Sequence, residues 1–497
     1  MRNCDWYHAP MLRDVLPFLS LLKQASRDSL SRRAIFAFVD FLERKWGVQV
    51  VYPAEHVPFG RSDLIDAFEV ARTLKGHGVI TEFNPVPNQP DEPPLHYWSV
   101  ICNDAMKHRA GGMSAKHDRD ALLAALAEAL ERLVWFQETD YFLSPVNAKA
   151  EEISKRGAYI APERFAGFSA RQREHNAALT LEKDTSYLWI RALSLTNAEP
   201  VYVPAQIVSN AHFARARKSG SAQGEPVIRV SITTGLATWP TRTQAVLSGA
   251  LEVIERDAFM ITWLNQLSLP RIDLSAVIAQ SLSLQELLAR CARYRLKIEA
   301  IQLITDAPAH AVCAVVEDPT GHAPRFAVGL KAHRNLAHAV EEAILEALRG
   351  RRGARSMQKN PPQNWRPEKT TPEIGHRDRL LYWMQGEQHK ELEFLVAGPV
   401  ETPAEATWES DTSEEHLSRI VNWCKKKRYE FASVDLGRSK RNPLPWSIEM
   451  VVIPELHPMH QNERFQYLDS ARLREVPALF GYDARTEAFS VHPQPFS

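Results

Sequence analysis

Glutamates spaced three apart, each pair followed at once by arginine, are the residues of this chain best suited to chemistry. Leu126-Ala127-Glu128-Ala129-Leu130-Glu131-Arg132 resembles Leu251-Glu252-Val253-Ile254-Glu255-Arg256-Asp257, and alanine-rich sequence (121–125 and 245–250) precedes each. On a helix, residues three apart project from one face about one turn from each other. A third stretch, 339–351, carries Glu342 and Glu346, then Arg349 and Arg351. Same-face carboxylates are costly when buried without partners, and a divalent cation relieves that cost. Mg2+ takes oxygen ligands and commonly bridges one or two carboxylates to substrate phosphates. Arginines alongside suit bidentate contact with phosphate. Three such helices, if they converge, make a Mg2+–triphosphate site that needs no glycine-rich loop. The competing reading is a solvated charged face, with pair energies of about 0.3–0.5 kcal/mol.

Such a site needs a scaffold of the right class. The chain has 497 residues, 44% hydrophobic and 24% charged, values of a globular protein with a large core. Sixty basic residues balance 60 acidic ones, which argues against holding nucleic acid or an anionic membrane by bulk charge. No stretch approaches a membrane span, and the first residues lack the apolar core of a signal peptide. Five cysteines without a CxxC pair suit a reduced, cytoplasmic protein and exclude a disulfide framework. The usual phosphate-cradling motifs, GxxxxGK[ST] and GxGxxG, are absent. Helical spacing is expected over 11–46, 64–74 and 339–351. Strands are expected at 48–52, from Val79-Ile80, at 227–232, 311–316 and 326–328, and at 450–453. Proline-rich stretches at 84–94 and 360–372 read as boundaries. The irregular alternation predicts an α+β fold, mixed sheets with long helices, and not a regular βαβ repeat. The expected division is an N-terminal helical extension, 1–70, followed by a single domain, 71–497, that ends in a proline-containing tail.

At these residues the chain resembles the YcaO family. Thr233-Thr234-Gly235-Leu236-Ala237, Ala245, the Glu252–Ala258 block, and Leu269-Pro270-Arg271-Ile272-Asp273-Leu274 are similar to the family's central signature. Glu128 to Arg132, Ser194-Leu195 with Val203-Pro204-Ala205, Glu346 to Arg351, and Arg472-Leu473-Arg474-Glu475-Val476-Pro477 with Gly481 follow in the family's order, over roughly 70–497. The resemblance implies a YcaO-type ATP-binding fold and an ATP-dependent enzyme acting on peptide backbone amides. It implies ATP and Mg2+ as cofactors. Glu128, Glu131, Glu252, Glu255 and Glu346 would bind Mg2+, while Arg132, Thr234, Arg256, Lys116 and Arg351 would hold the nucleotide. In the azoline-forming branch, Cys, Ser or Thr of a ribosomal precursor peptide attacks the preceding amide carbonyl. Phosphorylation of the amide oxygen then makes it a leaving group. That branch ends in a proline-rich tail reaching the active site, so Pro493, Pro495 and the terminal Ser497 are implied in catalysis. A leader-binding, ThiF-like partner is expected as a separate protein, since residues 1–70 are too few to supply it. An FMN-dependent azoline dehydrogenase and an oligomeric assembly are further expectations.

The chain departs from the family at three places. Gly111-Gly112-Met113-Ser114-Ala115-Lys116 stands where members carry Gly-Lys-Gly, Glu342 stands where they often carry Arg, and Arg349 where they often carry Gln. Thioamide or amidine formation, and a non-catalytic scaffold that presents the precursor peptide, are the alternatives; the late Glu-Val-Pro segment and the tail favour azoline formation. Among other motifs, Gly167-Phe168-Ser169-Ala170-Arg171 fails the nucleophile-elbow pattern. His457 and His460 read as a packed or solvated loop pair, and the basic runs 349–355 and 425–428 as solvated faces, with part of the first, which follows the third glutamate helix, expected to face ATP.

Overall fold

The computed structural model describes residues 65–137, 143–181, 185–219, 225–359, 376–384, 387–439, 441–486 and 489–496. Helices expected over 11–46, the strand at 48–52 and the proline-rich stretch 360–372 lie outside the described residues. Residue 70 falls inside a helix, α1 (Ile65–Gly76), which packs on the first sheet and on the first glutamate helix.

Three mixed layers carry the architecture. The first sheet is a meander of β1 (Ile80–Pro85), β2 (His96–Cys102) and β3 (Arg109–Ser114). The second has the order β4-β5-β13-β14-β7, with β6 also paired to β5. Its strands are β4 (Val146–Lys149), β5 (Ser186–Ser194), β6 (Pro200–Pro204), β7 (Leu236–Trp239), β13 (Ala432–Asp435) and β14 (Ser447–Val452). The third runs β11-β10-β9-β8-β12: β8 (Arg271–Ile272), β9 (Lys297–Leu303), β10 (His310–Glu317), β11 (Phe326–His333) and β12 (Val400–Glu401). The helices that matter here, besides α1, are α2 (Asp118–Gln137), α3 (Arg242–Asn265), α4 (Leu336–Lys359), α5 (Ser413–Lys427) and α6 (Arg472–Leu479). The fold is the mixed α+β arrangement expected from the sequence.

The segment 227–232 is irregular, not a strand. A buried side chain takes over the work of a strand partner. Gln206 accepts from the Ile228 N–H at 2.8 Å and donates to the Pro226 carbonyl at 2.9 Å, so the start of the run is held by a side chain and not by a ladder. Residues 351–355 of the basic run form an internal latch and not a solvated face. Arg351 is 2% exposed, donates to Asp318 at 2.8 Å and to the Pro324 carbonyl at 2.9 Å, and approaches Glu92 at 3.6 Å. Arg355 pairs with Glu92 at 2.6 Å and with Asp91, and Arg352 lies over the Tyr97 ring. Together they fasten the proline-rich loop after β1 to α4.

Each glutamate helix lies on the strand just before it. β3 packs on α2, β7 on α3 and β11 on α4. The approach is closest where glycine removes the side chain. A Cβ on Gly112 would stand 1.9 Å from the Ala121 carbonyl oxygen, and one on Gly329 would stand 2.1 Å from that of Ala343. Gly112 and Gly329, facing alanine-rich helix surfaces, let strand and helix backbones come within reach of the glutamate side chains.

Candidate active site

β3, β7 and β11 are each the end strand of their sheet, so each has backbone N–H groups that point away from the ladder. Such edges demand partners when buried. Here the partners are the glutamates. Glu128 accepts from Gly111 N–H at 2.9 Å, Glu252 from Gly235 N–H at 3.0 Å and Glu346 from Leu330 N–H at 2.8 Å. In each case the first carboxylate of a helix reaches back to its own strand. The second carboxylate, one turn on, reaches forward to the next unit. Glu131 of α2 accepts from Thr238 N–H of β7 at 2.6 Å, and Glu255 of α3 accepts from Ala332 N–H of β11 at 2.7 Å. On α4 the equivalent position is Arg349, which donates to the Gly111 carbonyl of β3 at 3.3 Å. The three units thus close on one another in a ring.

Each arginine is tied to a ring carboxylate. Arg132 donates to Glu128 at 2.6 and 3.1 Å. Arg256 lies 2.8 Å from Glu255 and 3.4 Å from Glu252. Arg349 lies 3.3 Å from Glu346. Burial, then the charges of Glu128 and Glu252, push Glu131 well above the usual carboxylate range. Burial likewise pushes Glu255 up to about 7, against the pull of Arg256 and Lys331, and raises Glu252 against Arg256 and the Gly235 N–H. Arg256 is held above its ordinary value. Burial works against it, but Glu255, Glu252 and Glu346 outweigh that cost.

The C-terminal segment runs along α3 and ends on this ring. Arg472 of α6 grips Asp257 with two bonds, of 2.7 and 2.6 Å, and Asp257 also accepts from His457 N–H at 2.7 Å. Asn265 donates to the Leu473 carbonyl at 3.0 Å and accepts from Arg485 N–H at 2.8 Å, and Ser490 N–H donates to the Leu264 carbonyl at 3.1 Å. Pro493, Gln494, Pro495 and Phe496 are buried, and the Phe496 ring lies 3.9 Å from the guanidinium carbon of Arg256. Ser497 lies outside the described residues.

The structure therefore brings together Glu128, Glu131, Glu252, Glu255, Glu346, Arg132 and Arg256, with the tail beside them. Thr234 is half-buried in the turn that presents Gly235 to Glu252. Lys116 pairs with buried Glu341 at 3.3 Å, one turn from the ring along α4. Arg351 is placed elsewhere: its guanidinium is taken by Asp318, Glu92 and Pro324 in the latch. His457 and His460 are buried, and burial pushes His457 down to about 3. Sequence reasoning missed the backbone donors of the edge strands and the ring-closing role of Arg349. The signal for the donors was the constant separation between each first glutamate and its strand amide: 17, 17 and 16 residues.

The donor set fits Mg2+ and a polyphosphate. Its carboxylate oxygens are ordered by backbone N–H groups, its repulsion is the kind a hard cation relieves, and guanidinium groups adjoin it. Among the described residues, no three acidic, His or Cys side chains are close enough to hold a metal unaided.

The chain belongs to the YcaO family. The family model described as YcaO cyclodehydratase, ATP- and Mg2+-binding, matches residues 114–457, and ATP and Mg2+ are the cofactors of that family. Among solved structures, a heterocyclase in complex with substrate and cofactor is similar at a TM-score of 0.68 and 20% identity, over 90% of this chain and 59% of that one. YcaO from Methanopyrus kandleri bound with AMPPCP and Mg2+ is similar at 0.55 and 18% identity, over 80% of this chain and 91% of that one. The E. coli microcin synthetase McbBCD complex with pro-MccB17 bound is similar at 0.54 and 16% identity, over 75% and 87%. An uncharacterized protein of Methanothermobacter thermautotrophicus is 28% identical over 164 residues, 33% of this chain and 40% of that protein. This chain thus spans 40% of that curated relative and 59% of the heterocyclase. No described helix is long and apolar enough to cross a membrane.

Proposed function

We propose that this chain is the ATP-dependent cyclodehydratase subunit that converts Cys, Ser or Thr residues of a ribosomal precursor peptide to thiazoline or oxazoline rings. The observation that carries this reading is the ring of five glutamates with the buried Pro493–Phe496 tail laid against Arg256. An amide oxygen is a poor leaving group, and ATP supplies the phosphoryl group that makes it a good one. The chain's own contribution is positioning and electrostatics. Arg132, Arg256 and Arg349 neutralise charge beside the carboxylates. The N–H groups of Gly111, Gly235, Thr238, Leu330 and Ala332 fix the carboxylate oxygens so that little reorganisation remains at the moment of reaction. The tail narrows the site over α3 and excludes water.

The assembly of the microcin synthetase relative supports a peptide substrate and partner subunits. We take the partners to be a leader-binding ThiF-like protein and, where azolines are oxidised, an FMN-dependent dehydrogenase. Residues 1–70 are the candidate docking extension, and 71–497 the catalytic domain. The test is the intact mass of a Cys/Ser/Thr-rich precursor peptide co-expressed with this chain and its partner. Loss of one water per modified residue is expected. Exchange of oxygen for sulfur would move the chemistry to thioamide formation, and an unchanged mass with all components present would refute an enzymatic role. Glu252→Gln with Glu255→Gln should abolish peptide-stimulated ATP hydrolysis; undiminished turnover would remove the nucleotide site from this ring.

A further inference from the structure

The outward N–H groups of β11 serve two different helices. Leu330 N–H binds Glu346 of α4, and Ala332 N–H binds Glu255 of α3. Lys331 stands between them. Strand alternation puts its side chain on the face it shares with Gly329 and His333, and Gly329 is where α4 makes its closest approach. Burial raises Glu252 and Glu255 of α3 and Glu342 of α4, and the charge of half-buried Lys331 opposes that rise at all three.

Four cations of the ring and its flank are already engaged. Arg132 is bonded to Glu128, Arg256 lies between Glu252 and Glu255, Arg349 lies on Glu346, and Lys116 lies on Glu341. Lys331 makes no ion pair or side-chain hydrogen bond among the described residues. The titratable groups that feel its charge are Glu252, Glu255, Glu342, His338 and His333, whose Nδ1 accepts from Asn335 N–H at 3.0 Å. A half-buried ammonium over carboxylates, bonded to none of them, is placed to meet a second anion that arrives with the metal. A lysine suits that task as a mobile point charge with three donors.

We propose that Lys331 is a phosphate-binding residue of the nucleotide site, contacting the terminal phosphates of the bound triphosphate from the β11 side of the ring. This rests on the reading of the glutamate ring as the nucleotide site, and the test separates the two. Binding of AMPPCP with Mg2+, and of AMP, is measured by calorimetry on the full chain, Lys331→Met, Lys331→Arg and Glu252→Gln. Lys331→Met should weaken AMPPCP binding about ten- to a hundredfold and leave AMP within about twofold. Lys331→Arg should restore AMPPCP to within about threefold of the parent. Lys331→Gln replaces the Met variant if that protein does not fold. Parental AMPPCP binding by Lys331→Met, or equal weakening of AMPPCP and AMP, overturns the proposal. If Glu252→Gln loses AMPPCP in the same experiment, the ring remains the nucleotide site and only the lysine's role falls. If Glu252→Gln also binds as the parent does, the site reading itself falls.

Discussion

Asp257→Asn should be the most damaging conservative substitution outside the glutamate ring. Asp257 is fully buried and Arg472 is 3% exposed. Two charge-assisted bonds of 2.6 and 2.7 Å join them, and the His457 N–H adds a third donor at 2.7 Å. Arg472 also holds Asp306 at 3.0 Å. Burial disfavours the Arg472 charge, but Asp257 and Asp306 outweigh that and raise the group above its ordinary value. Removing one partner of such a pair leaves an uncompensated buried charge and costs about 3–5 kcal/mol. Unfolding entropy is about 2.1 cal/mol/K per residue. A chain of 497 residues unfolding as one unit therefore carries about 1 kcal/mol/K, and its Tm should fall by about 3–5 °C. The loss should be cooperative with Arg472. In a cycle of Asp257→Ala, Arg472→Ala and the double variant, the double should be less stable than either single by far less than the sum. Thermal and denaturant melts measure both. Because α6 starts the segment that brings Phe496 to Arg256, peptide cyclisation should fall further than ATP affinity. A Tm within about 1 °C of the parent, or additive singles, would refute the role given to this pair.

The buried histidines should make part of the protein's stability sensitive to acid above the usual carboxylate range. Burial holds His333 and His457 down to about 3 and His338 to about 4. The unfolded chain takes up protons at these residues from about pH 6.5 downward, whereas the folded chain refuses them, so their contribution to stability falls from pH 6.5 toward 4, against the opposite contribution of Glu255, which burial raises to about 7. His457→Gln should flatten that slope in denaturant titrations, and an unchanged slope would count against it. Gly329→Ala should force α4 off β11, because its Cβ would meet the Ala343 oxygen at 2.1 Å and the Ala347 nitrogen at 2.3 Å. A loss of about 1–3 kcal/mol is expected, together with weaker nucleotide binding as Glu346 leaves Leu330. Arg349→Ala should cost only about 0–1 kcal/mol of stability, since its ion pair is partly exposed, yet slow turnover by opening the ring at β3; parental turnover would show that closure is dispensable.

Much of this was legible in the sequence, because helical periodicity and local repetition survive translation into structure. Glu128/Glu131 and Glu252/Glu255 could be placed on single faces from spacing alone, and α4 follows from the 339–351 pattern. Strands β10, β11 and β14 were visible as apolar runs. The segment 227–232 was misread because β-type composition does not reveal that one glutamine, Gln206, would cap its backbone from a distance. Arg351 was misassigned for a related reason: a helix places Arg349 and Arg351 on different faces, and only the packing decides which of them meets the ring. The latch partners Glu92 and Asp318 are far from it in sequence. Lys331 has no motif at all, since a single lysine in an apolar strand gains meaning only from the two amides beside it.

The ring also explains why the third helix can differ from the first two. On α2 and α3 the second carboxylate caps an amide of the next edge strand, so an acceptor is required at that position. On α4 the corresponding group of β3 is a carbonyl, that of Gly111, so a donor is required and Arg349 supplies it. Glutamate there would face an acceptor and would add a sixth carboxylate to a cluster already strained by burial, and then by repulsion, at Glu131 and Glu255. The outcome is an uneven charge around the ring. The α2–α3 sector is crowded with carboxylates, whereas Arg349 makes the α4–β3 junction cationic and Lys331 adds a positive charge on β11. A bound metal and the phosphates it carries have opposite signs and need opposite surroundings a few ångströms apart. A ring closed by three glutamate pairs would offer only one of them.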